Sequence, residues 1–510
     1  MESRTMNGKR EFGDYQTPPD FAAKICRYLR DERNIAPSMV IEPTCGIGNF
    51  LRSSLIFNAD KYYGIEINSD YCDECINTIK DSRVHIINAN IFGFDLDSIQ
   101  AEGDVLVIGN PPWANNSTLS ALDSNNLPEK KNFKGMKGLD ALTGESNFDI
   151  CEYIILQLVH SFRNTDATIA MLCKTSVARN VFKELKREAT PFSYCDMITF
   201  DASTVFGISA SACLLLIKLS SVAKFPLTCN LYSLDAPKTV CSTIGFHNGQ
   251  LYSNLFSSTD DFDGVCCFEW RQGVKHDCSK VMELSADGTT LKNGQGETVD
   301  IENEIIFPLI KSSMFKMPII TDFKKYVIVT QKKVREETLH IQQDFPKAWE
   351  YLNRNITYFS SRKSSIYRNA PAFSMFGIGD YSYSKYKVGI SGFYKQPLFS
   401  VLYSPDGKPV MTDDTSYFIC FDSYDMAYVA MLILNSERVQ NFLKSIVFID
   451  SKRPYTKKVL ERLDFSKICK VLSYRDIKNT ECALNLTDYL TSEMFDMFFY
   501  VPQMQQQCII

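Results

Sequence analysis

The 510-residue sequence has no run of about 18 consecutive apolar residues, which excludes an ordinary membrane-spanning helix. Its first residues, MESRTMNGKREFGDYQ, lack the apolar core of a signal peptide, so a cytoplasmic protein is expected. Histidine is scarce: the 5 present are scattered from His85 to His340 and offer no cluster for a metal ion. A single Cys-x-x-Cys occurs, Cys72 and Cys75, with no second pair at zinc-ligand spacing, so no structural metal is expected. The 17 cysteines lie in core-like stretches such as IAMLC and SACLLLI, not at the spacings of a small secreted framework, and are expected to be reduced and buried. No internal repeat or low-complexity tract is present, which excludes solenoids.

What is there is a foldable chain of ordinary composition, 45% hydrophobic and 23% charged, long enough for two domains. Net charge is -5, yet residues 311 to 400 hold 15 Lys and Arg against 6 Asp and Glu, a local excess of +9 in an otherwise acidic chain. A basic stretch interleaved with aromatics, YFSSRKSSIYRN and FSMFGIGDYSYSKYKVGISGFYK, suits a nucleic-acid partner: cations meet phosphates and other side chains reach base edges.

From Val40 to about Lys218, short apolar runs alternate with helix-period stretches, the pattern of a mostly parallel α/β sheet. Strands are predicted at residues 39–41, 62–67, 85–88, 104–109, 167–172, 197–201 and 212–218, and helices at 21–30, 70–80 and 147–162. Between Ala114 and Ser146 the pattern lapses into a long polar loop whose lysines at 130, 131, 134 and 137 are candidates for closing over DNA. The rhythm does not return after Ser220, and a domain boundary is expected near residue 240, giving units 1–240 and 241–510.

The first predicted strand runs into Glu42-Pro43-Thr44-Cys45-Gly46-Ile47-Gly48, whose glycines let backbone approach a ligand closely. Glu66 follows near the end of the next strand, about 20 residues on, where a carboxylate can accept both ribose hydroxyl protons. The third glycine of a dinucleotide fingerprint is replaced by Leu51, which favours a nucleoside without phosphates. After the third strand, Asn90 can meet an adenine amino group while Ile91 and Phe92 flank the ring.

The fourth strand delivers Asn110-Pro111-Pro112-Trp113 at its carboxyl end, where ligands of open α/β sheets gather. An amino group on a nucleobase is a poor nucleophile because its lone pair is delocalised. The Asn110 side-chain oxygen and the Pro111 carbonyl can accept both N–H protons and favour a tetrahedral nitrogen, and Pro111-Pro112 hold those acceptors rigid. Trp113 offers a ring for a base swung out of the duplex. Carbon methylation would need a cysteine nucleophile in a Pro-Cys pair, and the sequence contains none.

In this motif order, over residues 11 to 218, the chain resembles the gamma-type amino-methyltransferases of bacterial restriction-modification systems. Thr17-Pro18-Pro19, Glu42 with Cys45-Gly46-Ile47-Gly48, Glu66, and Asn110-Pro111-Pro112-Trp113 match the family's motifs, while Asn90 stands where the family has Asp. STVFGISASACLLLIKL looks like its eighth motif, which assigns Phe206 to stacking against the extruded base. FIDSKRPYTKKVL, residues 448 to 460, is similar to target-recognition segments of such enzymes.

The resemblance implies a Rossmann-like class I methyltransferase domain followed by a separate α+β target-recognition domain. It further implies S-adenosyl-L-methionine as cofactor, Thr17 among its contacts, and double-stranded DNA as partner. Other expectations are a monomer that acts without a metal, modifies without cleaving, and shares its site with a separate cognate endonuclease. Asn110, where N4-cytosine enzymes have Ser, favours N6 of adenine. Three readings stay open beside this one: an N4-cytosine enzyme, an RNA or protein-glutamine amino-methyltransferase, and a non-catalytic DNA-binding protein.

Overall fold

A computed structural model of the protein describes residues 16–99, 103–113, 149–257 and 260–498. The loop lysines at 130, 131, 134 and 137 lie outside the described residues. Among the described residues no helix is long and apolar enough to cross a membrane. The chain divides into two units, Met1–Leu255 and Phe256–Ile510.

In the first unit, helix α1 (Pro19–Asp31) starts on a proline and buries Ala22, Ile25, Cys26 and Leu29, one face at helical spacing. Strands β1 (Met39–Glu42), β2 (Lys61–Glu66), β3 (Val84–Asn88), β4 (Val105–Gly109) and β5 (Thr168–Lys174) are separated by helices α2 (Asn49–Ser54), α3 (Ser69–Thr78) and α4 (Ile150–Ser161). After α5 (Thr175–Arg187) come β6 (Phe192–Phe200), the short helix α6 (Ala202–Phe206), and β7 (Ala212–Leu219). All seven predicted strands are present, and β1 and β4 are buried along their whole length, as strands covered on both faces must be.

The sheet runs β3-β2-β1-β4-β5-β7-β6, then β8 (Thr228–Ser233), β9 (Ala236–His247) and β10 (Gln250–Tyr252). β1 to β5 pair in parallel, and β7 is inserted antiparallel between β5 and β6. The strand order reverses at β1, whose neighbours are β2 and β4, so the carboxyl ends of β1 and β4 flank the crevice of a doubly wound sheet. The boundary expected at residue 240 falls inside β9, which pairs along β8 and β10; the first unit therefore extends to Leu255.

The second unit is α+β. One five-stranded sheet is centred on residues Tyr386–Ser391 and another on Lys325–Ile328. Val281, Leu284, Leu309, Val327, Ile341 and Leu352 fill a core against the second of these. Helix Tyr424–Asn435 buries eight consecutive residues from Ala427 to Leu434.

Candidate active site

Three segments that are distant in sequence converge at the carboxyl ends of β1, β2 and β4. The loop after β1 turns through left-handed backbone at Gly46 (φ 53°) and Gly48 (φ 79°). A Cβ on Gly46 would lie 2.6 Å from the Gln16 Oε1, and one on Gly48 would lie 2.7 Å from the Cys75 Sγ. The left-handed backbone is what requires glycine at both positions, and the neighbouring side chains would have to give way to any larger residue.

Glu66, only 9% exposed, closes this loop from the next strand. Its Oε2 accepts the Gly46 N–H at 2.8 Å and its Oε1 accepts the Asn68 N–H at 2.9 Å. Glu42 is buried and its Oε2 accepts the Leu51 N–H at 3.0 Å, which ties β1 to the first turn of α2. Burial, with Glu66 nearby, pushes the Glu42 carboxyl well above the usual carboxylate range and favours its protonated form. Cys45 hydrogen-bonds to the Cys75 sulfur in a buried setting, which raises it well above the ordinary thiol range.

The Thr17-Pro18-Pro19 segment docks on the same loop. The Thr17 carbonyl accepts from the Asn49 Nδ2 at 2.8 Å, and the Gln16 Oε1 accepts the Ile47 N–H at 3.4 Å. After β3, the Asn90 Oδ1 accepts the Phe92 N–H at 3.0 Å, an Asx turn that uses this oxygen locally. Ile91 is buried, and its carbonyl accepts from the Gln157 Nε2 on α4 at 2.9 Å. Phe92 packs edge-on against Tyr153 of the same helix, ring centroids 5.5 Å apart.

Asn110 begins the segment after β4, beside the glycine loop: a Cβ on Gly109 would sit 3.5 Å from both Glu42 Cγ and Pro43 Cδ. Pro111 and Pro112 follow, and Trp113 is mostly covered, 8% exposed. Its ring meets Phe206 edge-to-face at 5.6 Å. Phe206 is half-buried at the end of α6, whose N-cap Asp201 accepts the Ser203 N–H at 2.9 Å. Phe206 also contacts Phe21 of α1 and Phe200 of β6, each at 6.2 Å. One aromatic cluster thus joins residues 21, 113, 200 and 206.

Several members of this site escape sequence reasoning. Phe21, Phe200, Tyr153 and Gln157 sit in stretches that read as core helix or strand, and only tertiary packing brings them here. Thr44 lies inside the glycine loop, and its Oγ1 is buried without a hydrogen-bond partner among the described residues. That oxygen and the Glu66 carboxylate suit a ligand rich in hydroxyl and amino donors. A carboxylate facing the loop would repel a pyrophosphate.

No family model matches the chain. A type II methyltransferase of Nostoc sp., M.NspV, is 38% identical over 475 residues, covering 91% of this chain and 98% of the relative. Among solved structures, the type IIL restriction-modification enzyme MmeI in complex with DNA aligns over 98% of this chain and 76% of its own, at 11% identity and a TM-score of 0.54. The architecture expected from the sequence, a Rossmann-like class I methyltransferase domain followed by a separate α+β domain, is the one observed.

Proposed function

The chain belongs to the type II methyltransferases, and from that premise we propose that it transfers a methyl group from S-adenosyl-L-methionine to N6 of adenine in duplex DNA. The observation that supports this reading most directly is the crevice beside β1: Glu66 bonded to the glycine loop lies on one side, and Asn110-Pro111-Pro112-Trp113 starts on the other. The residues present fit the cofactor. Glu66 and Thr44 would receive its hydroxyls, Gly46 and Gly48 let backbone approach it, and Asn90, Ile91 and Phe92 would meet its adenine. Thr17, Glu42 and Cys45 shape the loop from behind. When bound, the cofactor supplies an electrophilic methyl group on a sulfonium.

The chain's own residues do the rest. The Asn110 side-chain oxygen and the Pro111 carbonyl accept the two amine protons of the target base, so that electron density gathers on nitrogen as it attacks. The fixed φ of Pro111 and Pro112 sets those acceptors before the base arrives. Phe206, the less covered of the two rings, stacks on the extruded base, and Trp113 braces it edge-on. The first unit holds cofactor and base, and the second recognises the DNA. The biological role that follows is protection of a site from a cognate endonuclease.

The test is incubation with cofactor labelled in the methyl group and, separately, duplex DNA, RNA and a protein acceptor, followed by nucleoside analysis. Label in N6-methyladenine of DNA is expected. Label only in RNA, in protein or in N4-methylcytosine would overturn the assignment.

A further inference from the structure

Two basic loops of the second unit are stitched into one edge by buried polar side chains. The first, residues 330–338, carries Lys332, Lys333 and Arg335, all exposed; the second, residues 361–375, carries Lys363 and Arg368, also exposed. Thr330, Gln331 and Thr338 of the first are at most 2% exposed. The Thr330 Oγ1 donates to the Phe373 carbonyl at 2.7 Å, the Thr338 Oγ1 donates to the Ala372 carbonyl at 2.5 Å, and the Gln331 Oε1 accepts the Met375 N–H at 2.7 Å. Arg362 locks the second loop from inside: it donates to the Phe359 carbonyl at 3.1 Å and the Ser374 carbonyl at 2.7 Å, and stacks over the Tyr367 ring at 3.7 Å.

Lys332, Lys333, Arg335 and Arg368 have no ion-pair partner among the described residues, and Lys363 lines the cleft beside them. Exposed cations clustered on one edge favour an anionic partner, although Glu336 of the same loop accepts the Lys333 N–H at 3.0 Å and offsets part of this charge.

At one end of this edge the segment Ser361 to Ser364 forms the wall of a cleft of about 620 Å³ whose lining holds four cationic and four acidic side chains. Here charge is matched inside the protein. Lys275 lies 2.6 Å from the Asp277 carboxylate and 3.7 Å from that of Asp414, and Lys311 lies 2.8 Å from the Glu283 carboxylate. A phosphate gains little from a cleft whose lining carries as many carboxylates as cations. A base-pair edge, which presents donors and acceptors side by side, fits such a lining.

We propose that this edge docks duplex DNA with a division of labour: Lys332, Lys333, Arg335 and Arg368 take backbone phosphates, and the charge-matched cleft, Lys363 included, takes base edges. The proposal rests on the DNA reading above and adds the surface and the separation of affinity from specificity. Phosphate contacts act on every sequence alike and carry the salt dependence, whereas base-edge contacts select sequence.

The experiment measures binding of the full chain to short duplexes of mixed sequence across a salt series, and maps methylated sites by sequencing treated plasmid. In the Lys332→Ala/Lys333→Ala/Arg335→Ala and Arg368→Ala variants, the slope of log affinity against log salt should shrink by about 0.9 per phosphate contact removed, with the set of methylated sites unchanged. Asp414→Asn should leave the slope alone and broaden that set, and Lys347→Ala should alter neither. Thermal melting of each variant separates a binding effect from misfolding. Unaltered slopes in both cation variants, or an unaltered site set in Asp414→Asn, would overturn the proposal while wild-type methylation of plasmid leaves the parent reading intact. A wild type that neither binds nor methylates duplex DNA would overturn both.

Discussion

Replacing Glu66 by Gln tests the cofactor half of the site with a change of one atom. The carboxylate receives two backbone N–H groups, Gly46 at 2.8 Å and Asn68 at 2.9 Å, one on each oxygen. Glutamine keeps one acceptor and turns an NH2 toward the other donor, so one buried N–H loses its partner at a cost of about 1–3 kcal/mol. That loss should appear in the ligand-free protein as a lower urea midpoint. The cofactor adds a second effect: a hydrogen bond from a ribose hydroxyl to a charged acceptor is worth about 1.5–3 kcal/mol, so Kd should rise about 10- to 150-fold per hydroxyl weakened.

Loop disturbance alone could weaken binding, and a double-mutant cycle separates the two causes. Calorimetry with S-adenosylhomocysteine and with its 2′-deoxy analogue should show wild type losing affinity on deletion of the hydroxyl and Glu66→Gln losing almost none. Equal losses in both proteins would refute ribose recognition by Glu66.

Further outcomes follow from the aromatic cluster and from the second unit. Phe206→Ala should lower kcat/KM for DNA by the worth of one base stack, about 1–3 kcal/mol, while Phe206→Tyr retains most of it; steady-state kinetics with equal values for wild type and the alanine variant would remove Phe206 from the base site. His276 is buried, its Nδ1 accepts the Cys278 N–H at 3.2 Å, and burial holds its pKa below the ordinary histidine value. Between that folded value and the ordinary one, near 6.5, the unfolded chain binds the extra proton. Stability of the second unit should therefore fall as pH drops through this window, by at most about 1.4 kcal/mol per pH unit. His276→Gln should flatten this part of the urea-denaturation profile, and an unchanged slope would contradict the buried neutral imidazole.

The elements that were legible in the sequence are those whose signal is local. Runs such as MVIE and VLVIG announce buried parallel strands because every residue faces packed side chains. The glycine loop could be located because positive φ restricts the residue types that serve there, and Glu66 proves to close it through the Gly46 N–H. What could not be read depends on pairings between distant segments. The insertion of β7 between β5 and β6, and the extension of the sheet through β8 to β10 that moves the boundary to Leu255, have no local signature. Phe21 and Phe200 read as ordinary core residues until α1 and β6 carry them to Trp113 and Phe206. Nor does charge alone reveal that Lys311 is consumed by Glu283 at 2.8 Å.

The claim on which the account turns is that Asn110 acts on the amine of the target base. Purified wild type and Asn110→Ala should be compared for N6-methyladenine formed in plasmid DNA, with S-adenosylhomocysteine affinity measured on the same preparations. The account predicts a loss of transfer of about 100-fold or more with cofactor affinity kept within about threefold, since the missing acceptor matters mainly as the nitrogen changes hybridisation. Transfer at the wild-type rate by Asn110→Ala would contradict it.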